Sequence, residues 1–325
     1  MGASSWSGRD VLSVLDYSRE DLEGLFAVAD RFVRSPAEVP KTLEDLVVAT
    51  AFFEPSTRTR LSFTTAALKL GAKVIDLSPD VSSVLKGESL PDTVRMLESY
   101  ADLIVMRHPS EGAALLASEV SRVPIVNGGD GSQHHPSQAM LDLYTVRSLK
   151  GRIDGLRYAV VGDTRYSRAA ASFLYGLSRY RPGPVYLVSP ETLRMRPEVR
   201  GAMTALGLKT EELSDLEQVL DRVDVIYMNR IQKERFPDPN DYEKVKGSYR
   251  LNRALLAKGN PDAMVMHPLP RIDELAYDVD DLPNAAYMQE ARLGVPVRMA
   301  LLHLVMEGGT VESNGGGEGA EGRAR

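Results

Sequence analysis

Three hydroxyl groups and two guanidinium groups follow one another without interruption just after an apolar run of the chain. They belong to Ser56, Thr57, Arg58, Thr59 and Arg60. Hydroxyl groups donate hydrogen bonds to phosphate oxygens, and a guanidinium group can hold two such oxygens at once. A single Ser-Thr-Arg sequence is more often a helix cap followed by solvated arginines. Five such residues directly after an apolar run instead favour a binding site for phosphate or a related anion.

The residues on either side of this segment predict a buried strand before it and a helix after it. Residues 47–53 are apolar without polar alternation, which is typical of a strand buried on both faces of a parallel sheet. Ser56 suits the N-cap of a helix that continues to Leu70, where Gly71 offers a stop signal. A second strand over 72–77 completes a β-α-β unit. The unpaired N–H groups and positive dipole end of the helix strengthen the expectation of an anion site.

Other polar side chains in the first half also stand next to predicted strands. Arg107 ends the apolar run 103–107, at the carboxyl end of a strand, where open α/β sheets bind ligands. A strand over 123–126 leads through a glycine-rich loop to His135 and to a helix whose first position suits Pro136, and Gln138 lies on the same face as His135. A lone histidine usually packs or caps, and His135 alone would be interpreted in that way.

The second half repeats the alternation of strands and helices and predicts a second doubly wound parallel sheet. Strands are predicted over 156–161, 185–188, 223–228 and 263–266, and helices over 191–206 and 214–221, the latter from a Ser214 to Glu217 capping box. Arg168 starts the helix after the first of these strands, and Arg230 and Gln232 follow the third. The polar loop 233–249 is a candidate closing lid.

The entry to this second half also resembles a dinucleotide-binding fold, because Gly162 and Asp163 follow a strand. Only Gly162 is present where three glycines at fixed spacing are needed beside a pyrophosphate. An NAD-dependent oxidoreductase is therefore disfavoured.

Composition narrows the classes of function further. A chain of 325 residues with 43% hydrophobic and 26% charged residues is long enough for two domains. No cysteine and only five scattered histidines leave no thiolate or zinc site, so neither metal nor cofactor is expected. The net charge of −6 argues against nucleic-acid binding. No apolar run suits a membrane span and the N-terminus has no signal core, so we expect a cytoplasmic protein.

Phe52, Glu54 and residues 56–59 resemble the Phe-x-(Glu/Lys)-x-Ser-Thr-Arg-Thr motif of the aspartate/ornithine carbamoyltransferase family. The likeness extends over about residues 8–306 and implies an α/β fold of two doubly wound parallel-sheet domains with the active site in the cleft between them. Residues 1–147, completed by a helix over 290–308, would bind carbamoyl phosphate, and residues 148–289 would bind aspartate. The low-complexity segment 312–325 is expected to be disordered.

The resemblance also implies an activity and a role for each matching residue. The reaction would transfer a carbamoyl group from carbamoyl phosphate to the α-amino group of L-aspartate, the committed step toward pyrimidines. The implied catalytic residues are Arg58, Thr59, Lys86, Arg107 and His135. The implied carbamoyl phosphate-binding residues are Ser56, Thr57, Arg58, Thr59, Ser82, Arg107, His135, Gln138, Leu269 and Pro270, and those for L-aspartate are Lys86, Arg168, Arg230 and Gln232.

Ser82 and Lys86 match a loop that, in this family, reaches into the active site of the neighbouring subunit, and Gly87 and Glu88 continue the match. The resemblance therefore implies a homotrimer with shared active sites. A regulatory chain or a dihydroorotase is a further candidate partner, whereas nucleic acid and membranes are not expected.

Two alternatives remain beside this interpretation. The first is transfer to another amino acid such as ornithine, although the ornithine enzymes carry His-Cys-Leu-Pro where this chain has His267-Pro268-Leu269-Pro270. Arg230 and Gln232 also fit a side-chain carboxylate better than an ammonium group. The second is an inactive scaffold, which should have lost some of the implied catalytic residues, and none is lost. Asp241 is a departure, because the aspartate enzymes often carry glutamate there.

Overall fold

The first half of the chain forms a four-stranded parallel sheet, seen here in a computed structural model that describes residues 6–236 and 238–307. Its strands, in the order β2-β1-β3-β4, are β1 (Val47–Phe52), β2 (Lys73–Leu77), β3 (Leu103–His108) and β4 (Ile125–Asp130). The helices of this half are α1 (Arg19–Arg34), α2 (Thr57–Lys69), α3 (Leu90–Leu97), α4 (Ala113–Val120) and α5 (Pro136–Lys150). The predicted β-α-β unit is confirmed, because β1 and β2 pair in parallel.

The second half forms a separate five-stranded parallel sheet. Its strands, in the order β7-β6-β5-β8-β9, are β5 (Tyr158–Gly162), β6 (Val185–Val188), β7 (Thr210–Leu213), β8 (Val225–Asn229) and β9 (Met264–Met266). The helices that follow are α6 (Arg168–Leu177), α7 (Pro197–Ala205), α8 (Pro239–Val245), α9 (Arg253–Leu256) and α10 (Tyr287–Glu307). The predicted fold of two doubly wound parallel sheets is confirmed.

The order of the strands explains where polar residues gather. In the first sheet the chain goes from β1 outward to β2 and then returns to the other side of β1 with β3, so the order reverses between β1 and β3. In the second sheet the order reverses between β5 and β8. Connecting helices leave a crevice at the carboxyl ends of the strands at such a point, and ligands bind there. Residues 54–59 and Arg107 border the first crevice, and Arg168 and Arg230 border the second.

The last helix returns to the first half of the chain. Helix α10 packs against α1, α2 and α5, and its buried side chains include Val297, Leu301 and Leu302. The predicted return of this helix is confirmed. It begins at Tyr287, three residues before the predicted start, and the described residues end with it at Glu307. The tail predicted over 312–325 therefore lies outside the described residues.

Three predicted elements differ from the structure. Strand β4 does not end at Val126 but continues through two glycines to Asp130, where Asn127 Nδ2 donates to Asp130 Oδ1 at 2.9 Å. The predicted helix 191–206 is wrong in its first part, because a 3-10 turn precedes a helix that begins at Pro197. The predicted helix 214–221 is also wrong, since only the 3-10 turn Leu216–Gln218 forms and Asp215 caps it. Strand β7 was not predicted because its Thr-Glu-Glu-Leu sequence is that of a charged edge strand.

Within residues 6–236 and 238–307, no helix combines the length and apolar character that a membrane span requires. The same residues contain no group of three or more histidine or acidic side chains placed to hold a metal ion.

Candidate active site

A cleft of about 1090 Å³ opens between the two strand-end crevices. It brings together most residues implied by the sequence: Ser56, Thr57, Arg58, Thr59, Arg107, His135, Gln138, Arg168, Arg230, Gln232, Leu269 and Pro270. The two halves of the predicted site therefore meet in one space. Each half supplies side chains of the chemistry assigned to it.

The N-terminus of α2 presents polar groups to this cleft. Ser56 occupies the N-cap position, as predicted, but its side chain makes no capping hydrogen bond. Its hydroxyl and the first N–H groups of the helix are therefore available to a ligand. Arg58 is exposed to the cleft, whereas Thr59 is buried and its hydroxyl faces Arg107.

Arg107 is held by three hydrogen bonds at the end of β3. Its Nε donates to the Gly128 carbonyl oxygen at 2.8 Å, and its Nη2 donates to Thr59 Oγ1 at 2.8 Å. The same Nη2 lies 3.0 Å from His135 Nε2. Because β4 continues through Gly128, the strand that sequence analysis ended too early supplies the backbone that orients this guanidinium group.

These contacts determine the protonation of His135. A guanidinium nitrogen can only donate, so His135 Nε2 must accept and the ring carries its proton on Nδ1. Burial and the nearby charges of Arg107 and Arg168 hold the pKa of His135 well below its usual range. The ring is therefore neutral. The backbone N–H of His135 donates to Ser172 Oγ at 2.8 Å, which connects His135 to α6 in the other half.

Glu54 is a functional residue that sequence analysis quoted in the motif without giving it a role. One of its oxygens accepts from Arg168 Nη2, and the other accepts from Arg235 Nη2 at 3.0 Å. Arg107 Nη1 is also within 3.9 Å of it. Glu54 thus joins the first half to α6 and to the predicted lid loop, from which Arg235 comes. An arginine in a polar loop gave no signal that could distinguish it from a solvated one.

Arg298 is a second residue that sequence analysis did not single out. It comes from α10, is 3% exposed, and lies with its guanidinium carbon 5.1 Å from the centre of the Phe63 ring. Its Nε has no hydrogen-bond partner among the described residues. An arginine within the largely apolar predicted helix 290–308 was the available signal, but that helix was expected only to complete the first domain.

The electrostatics of the cleft favour an anionic ligand. Six arginines line it against two glutamates among the described residues. Burial lowers the pKa of Arg58, and the charge of Arg230 lowers it further. Burial also lowers the pKa of Arg107 well below its usual range, with Arg168 adding to the effect, and it lowers that of Arg298 to about 10. A bound anion would relieve this mutual repulsion.

The second-half residues are organised around Asp163, at the end of β5. Its Oδ1 accepts the N–H groups of Arg165 and Tyr166 at 3.0 and 2.8 Å, and its Oδ2 accepts that of Gln232 at 3.4 Å. Burial raises the pKa of the Asp163 carboxyl to about 6. One carboxylate therefore holds both the turn that leads to Arg168 and the turn that carries Gln232. The two turns come together because they follow β5 and β8, which are neighbouring strands.

The 267–270 turn forms the far wall of the cleft. His267 Nδ1 accepts the N–H of Leu269 at 2.8 Å, and His267 Nε2 lies 2.7 Å from Glu274 Oε1. Leu269 has a φ of 57°, in the left-handed region, and the Leu269–Pro270 bond is cis. Both residues line the cleft as implied by the sequence.

Ser82 and Lys86 do not reach this cleft within a single chain. Ser82 caps the 3-10 turn Ser83–Lys86, where its hydroxyl accepts from the Val84 N–H at 3.3 Å. Lys86 is exposed, and neither residue is among those that line the cleft. A role for them in catalysis thus requires a second copy of the chain.

A substitution at Gly129 tests how closely the backbone supports Arg168. Gly129 has a φ of +121°, and an added Cβ would lie 2.7 Å from Arg168 Nε. We expect Gly129→Ala to displace this side chain and to raise the KM for the dicarboxylate that Arg168 is predicted to bind about tenfold or more. The measurement is steady-state kinetics. Gly151→Ala is the control, because that glycine also has a positive φ of +72° but no neighbour within 4 Å. An equal effect of the two substitutions would mean that backbone strain alone is responsible.

Comparison with known proteins follows the division seen in the structure. The family model described as the carbamoyl-P binding domain of aspartate/ornithine carbamoyltransferase matches residues 9–148. The model described as the Asp/Orn binding domain of the same family matches residues 154–305.

Individual relatives are similar over nearly their whole length. The aspartate carbamoyltransferase catalytic subunit of Thermofilum pendens is 56% identical over 302 residues, which are 93% of this chain and 96% of that protein. That of Hyperthermus butylicus is 57% identical over 311 residues, which are 94% of this chain and 98% of that protein.

Solved structures agree in fold. The aspartate transcarbamoylase of Trypanosoma cruzi, in complex with carbamoyl phosphate and aspartate, has a TM-score of 0.89 at 36% identity and covers 93% of this chain and 98% of its own. The catalytic subunit of M. jannaschii aspartate transcarbamoylase has a TM-score of 0.81 at 48% identity, covering 91% and 97%. Because two models of one family span the chain and relatives are more than half identical to it, the chain belongs to the aspartate/ornithine carbamoyltransferase family.

Proposed function

We propose that this chain transfers the carbamoyl group of carbamoyl phosphate to the α-amino group of L-aspartate, which yields N-carbamoyl-L-aspartate and phosphate. The observation that carries the proposal is the cleft itself, in which six arginines face two glutamates among the described lining residues. Carbamoyl phosphate carries a phosphate and L-aspartate two carboxylates, so the two substrates together supply the charge that the cleft lacks. The Trypanosoma cruzi relative, with both ligands, supports the same pair of substrates.

In this proposal the phosphate group binds at the N-terminus of α2. Ser56, Thr57 and Thr59 offer hydroxyl groups, and Arg58 offers a guanidinium group that is exposed to the cleft. These donors neutralise the phosphate as it leaves. Leu269 and Pro270, on the opposite wall, provide backbone carbonyl groups for the amine and amide hydrogens of the substrates.

The carbonyl oxygen of the substrate is assigned to Arg107 and Thr59, which already form one hydrogen-bonded unit. His135 accepts from Arg107 and so helps to aim the guanidinium group, whereas a bond from His135 Nε2 to the carbonyl oxygen needs the other tautomer. Stabilisation of the developing oxyanion by one such donor is worth roughly 3 to 4 kcal/mol. Gln138 is assigned to the amide nitrogen.

The bond changes balance without a covalent intermediate. The amine nitrogen of aspartate forms a bond to the carbonyl carbon, the bond from that carbon to the phosphate oxygen breaks, and the amine proton passes to the leaving phosphate. Arg168, Arg230 and Gln232 hold the two carboxylates of aspartate during the attack. Placing both reactants in one cleft and excluding water makes the encounter effectively intramolecular.

The proposal extends to the organisation of the protein. Residues 1–147 with α10 form the carbamoyl phosphate domain, and residues 148–289 form the aspartate domain. Lys86 is exposed and Ser82 is half-buried, and neither lines the cleft of its own chain, so we place them in the active site of a neighbouring subunit of a homotrimer. We also propose that the protein works in the cytoplasm, in pyrimidine synthesis.

Ureido-product formation tests the activity directly. The purified chain is given carbamoyl phosphate with L-aspartate, with L-ornithine or with no acceptor. We expect product with aspartate alone, because the ammonium group of the ornithine side chain would meet Arg168 and Arg230. Product with ornithine would contradict the assignment of these arginines, and a folded protein without product would favour an inactive scaffold.

A further inference from the structure

Two carboxyl groups are buried directly behind Gln138, outside the set of residues assigned to the substrates. Asp142 comes from α5 and Glu290 from α10, and they are 0% and 1% exposed. Both face the same amide nitrogen of Gln138, which lies 2.8 Å from Asp142 Oδ1 and 3.5 Å from Glu290 Oε1. Two carboxyl groups that are this close together and this well buried cannot both be ionised without a large free-energy cost, so one of them is expected to carry a proton.

Among the described residues, the hydrogen-bond partners of this pair are all donors. Asp142 Oδ1 accepts from Gln138 Nε2 at 2.8 Å, and Asp142 Oδ2 accepts from the Tyr227 hydroxyl at 2.7 Å. Glu290 Oε1 lies 3.5 Å from the same Gln138 nitrogen, and Glu290 Oε2 accepts the N–H of His267 at 3.0 Å. The pair therefore faces the side chain of Gln138 on one side and the backbone of the 267–270 turn on the other.

The surroundings indicate which carboxyl group is protonated. Burial raises the pKa of Asp142 to about 7, but two short hydrogen bonds and the charge of Arg298 oppose that rise and favour the ionised form. Burial raises the pKa of Glu290 well above its usual range, and the neighbouring charge of Asp142 adds to the rise. Glu290 is thus the neutral partner.

This arrangement orients the Gln138 amide. Its nitrogen faces two carboxyl groups, while its carbonyl oxygen has no hydrogen-bond partner among the described residues. Gln138 also lines the cleft. Reversal of the amide would bring its oxygen against the Asp142 carboxylate, which two acceptors cannot tolerate.

We propose that the Asp142–Glu290 pair, sharing one proton, is a positioning device that keeps the Gln138 oxygen turned toward the cleft as the acceptor for the carbamoyl NH₂ group. The inference rests on the proposed function, which assigns Gln138 to that group. The pair thereby selects a carbamoyl donor over an acyl phosphate that has a methyl group in place of the amide.

Two variants that differ by one functional group test the proposal. Glu290→Gln places an amide N–H where the proton of Glu290 is inferred and retains an acceptor for the His267 N–H. The double variant, with Asp142→Asn and Glu290→Gln together, also removes the remaining carboxylate. Neither member of the pair can then ionise. Both proteins are first checked by thermal unfolding, and kinetics are then measured with carbamoyl phosphate as substrate and acetyl phosphate as competitive inhibitor.

We expect Glu290→Gln to keep the KM for carbamoyl phosphate within about threefold of the parent value. The double variant should raise that KM about 10- to 100-fold, because its amides no longer hold one orientation of Gln138. Its inhibition constant for acetyl phosphate should change by less than about threefold, since the methyl group makes no bond to Gln138. If the pair had a purely structural role, the KM for carbamoyl phosphate and the inhibition constant for acetyl phosphate would rise together.

Several results would overturn the inference. One is a loss of more than about tenfold in kcat/KM for Glu290→Gln, which decides the question even if the double variant does not fold. Another is an equal rise in the constants for carbamoyl phosphate and acetyl phosphate in the double variant, and a third is no rise in either. If the parent chain itself forms no carbamoyl-aspartate, the proposed function fails instead, so the two failures are distinguishable.

Discussion

Arg58→Ala is expected to lower kcat about 10³-fold while leaving the fold intact. The side chain is exposed to the cleft, and no hydrogen bond or ion pair involves it among the described residues. Its removal therefore costs no packing and leaves no buried partner unsatisfied. What is lost is the cation at the N-terminus of α2 that we propose to neutralise the leaving phosphate. The measurement is kcat at saturating substrates, together with thermal unfolding to show that the fold is retained.

The neighbouring Arg60 provides a matched control for this prediction. Its Nη1 pairs with Asp76 Oδ2 at 3.3 Å, and it is not among the residues that line the cleft. An exposed pair of this kind contributes only about 0 to 1 kcal/mol. The Arg60→Ala variant should thus have a kcat close to that of the parent protein. Comparable activity of the two variants would remove Arg58 from the mechanism.

Lys86→Gln is expected to lower kcat by about 10²- to 10³-fold, yet mixing it with Arg58→Ala subunits should restore activity. Neither Lys86 nor Ser82 lines the cleft of its own chain, so a catalytic Lys86 must come from another copy. Random exchange of equal amounts places an intact Arg58 beside an intact Lys86 at about one site in four. The specific activity of the mixture should accordingly approach a quarter of the parent value.

The control mixes Arg58→Ala subunits with subunits that carry both substitutions. No site in that mixture can combine the two intact residues, so its activity should remain at the background of the separate proteins. Subunit exchange is verified with a charge-tagged chain before the assay. Verified exchange without recovery in the first mixture would contradict the shared active site.

The strand-and-helix skeleton of the site was predictable because its signals are local. The apolar run 47–53 and the capping residue Ser56 gave β1 and the start of α2 correctly, and β-α-β periodicity gave both sheets. Strand β4 was predicted too short because Asn127 to Asp130 are polar or glycine. Asn127 accepts from the Gly129 N–H and donates to Asp130 inside the protein, and a hydrophobic pattern does not record buried polar contacts of this kind.

The parts of the site that sequence reasoning missed are those that depend on tertiary contact. Glu54 acquires its meaning only when α6 and the loop of Arg235 approach it. Asp142 and Glu290 lie far apart in the chain and look like ordinary helix carboxylates until α10 returns to α5. Their burial and their common contact with Gln138 could not be derived from either segment alone.

The return of α10 also has a consequence for biosynthesis. Helices α1 and α2 bury Phe26 and Phe63, and both helices pack against a segment that begins at Tyr287. When the ribosome has made all strands of both sheets, it has therefore not yet made α10, which packs on the helices of the first half. The second sheet is thus inserted in the chain between the first sheet and α10, and α1 and α2 gain this packing partner only when α10 has been made. The second sheet can therefore form during translation before α10 is available to pack against the first half.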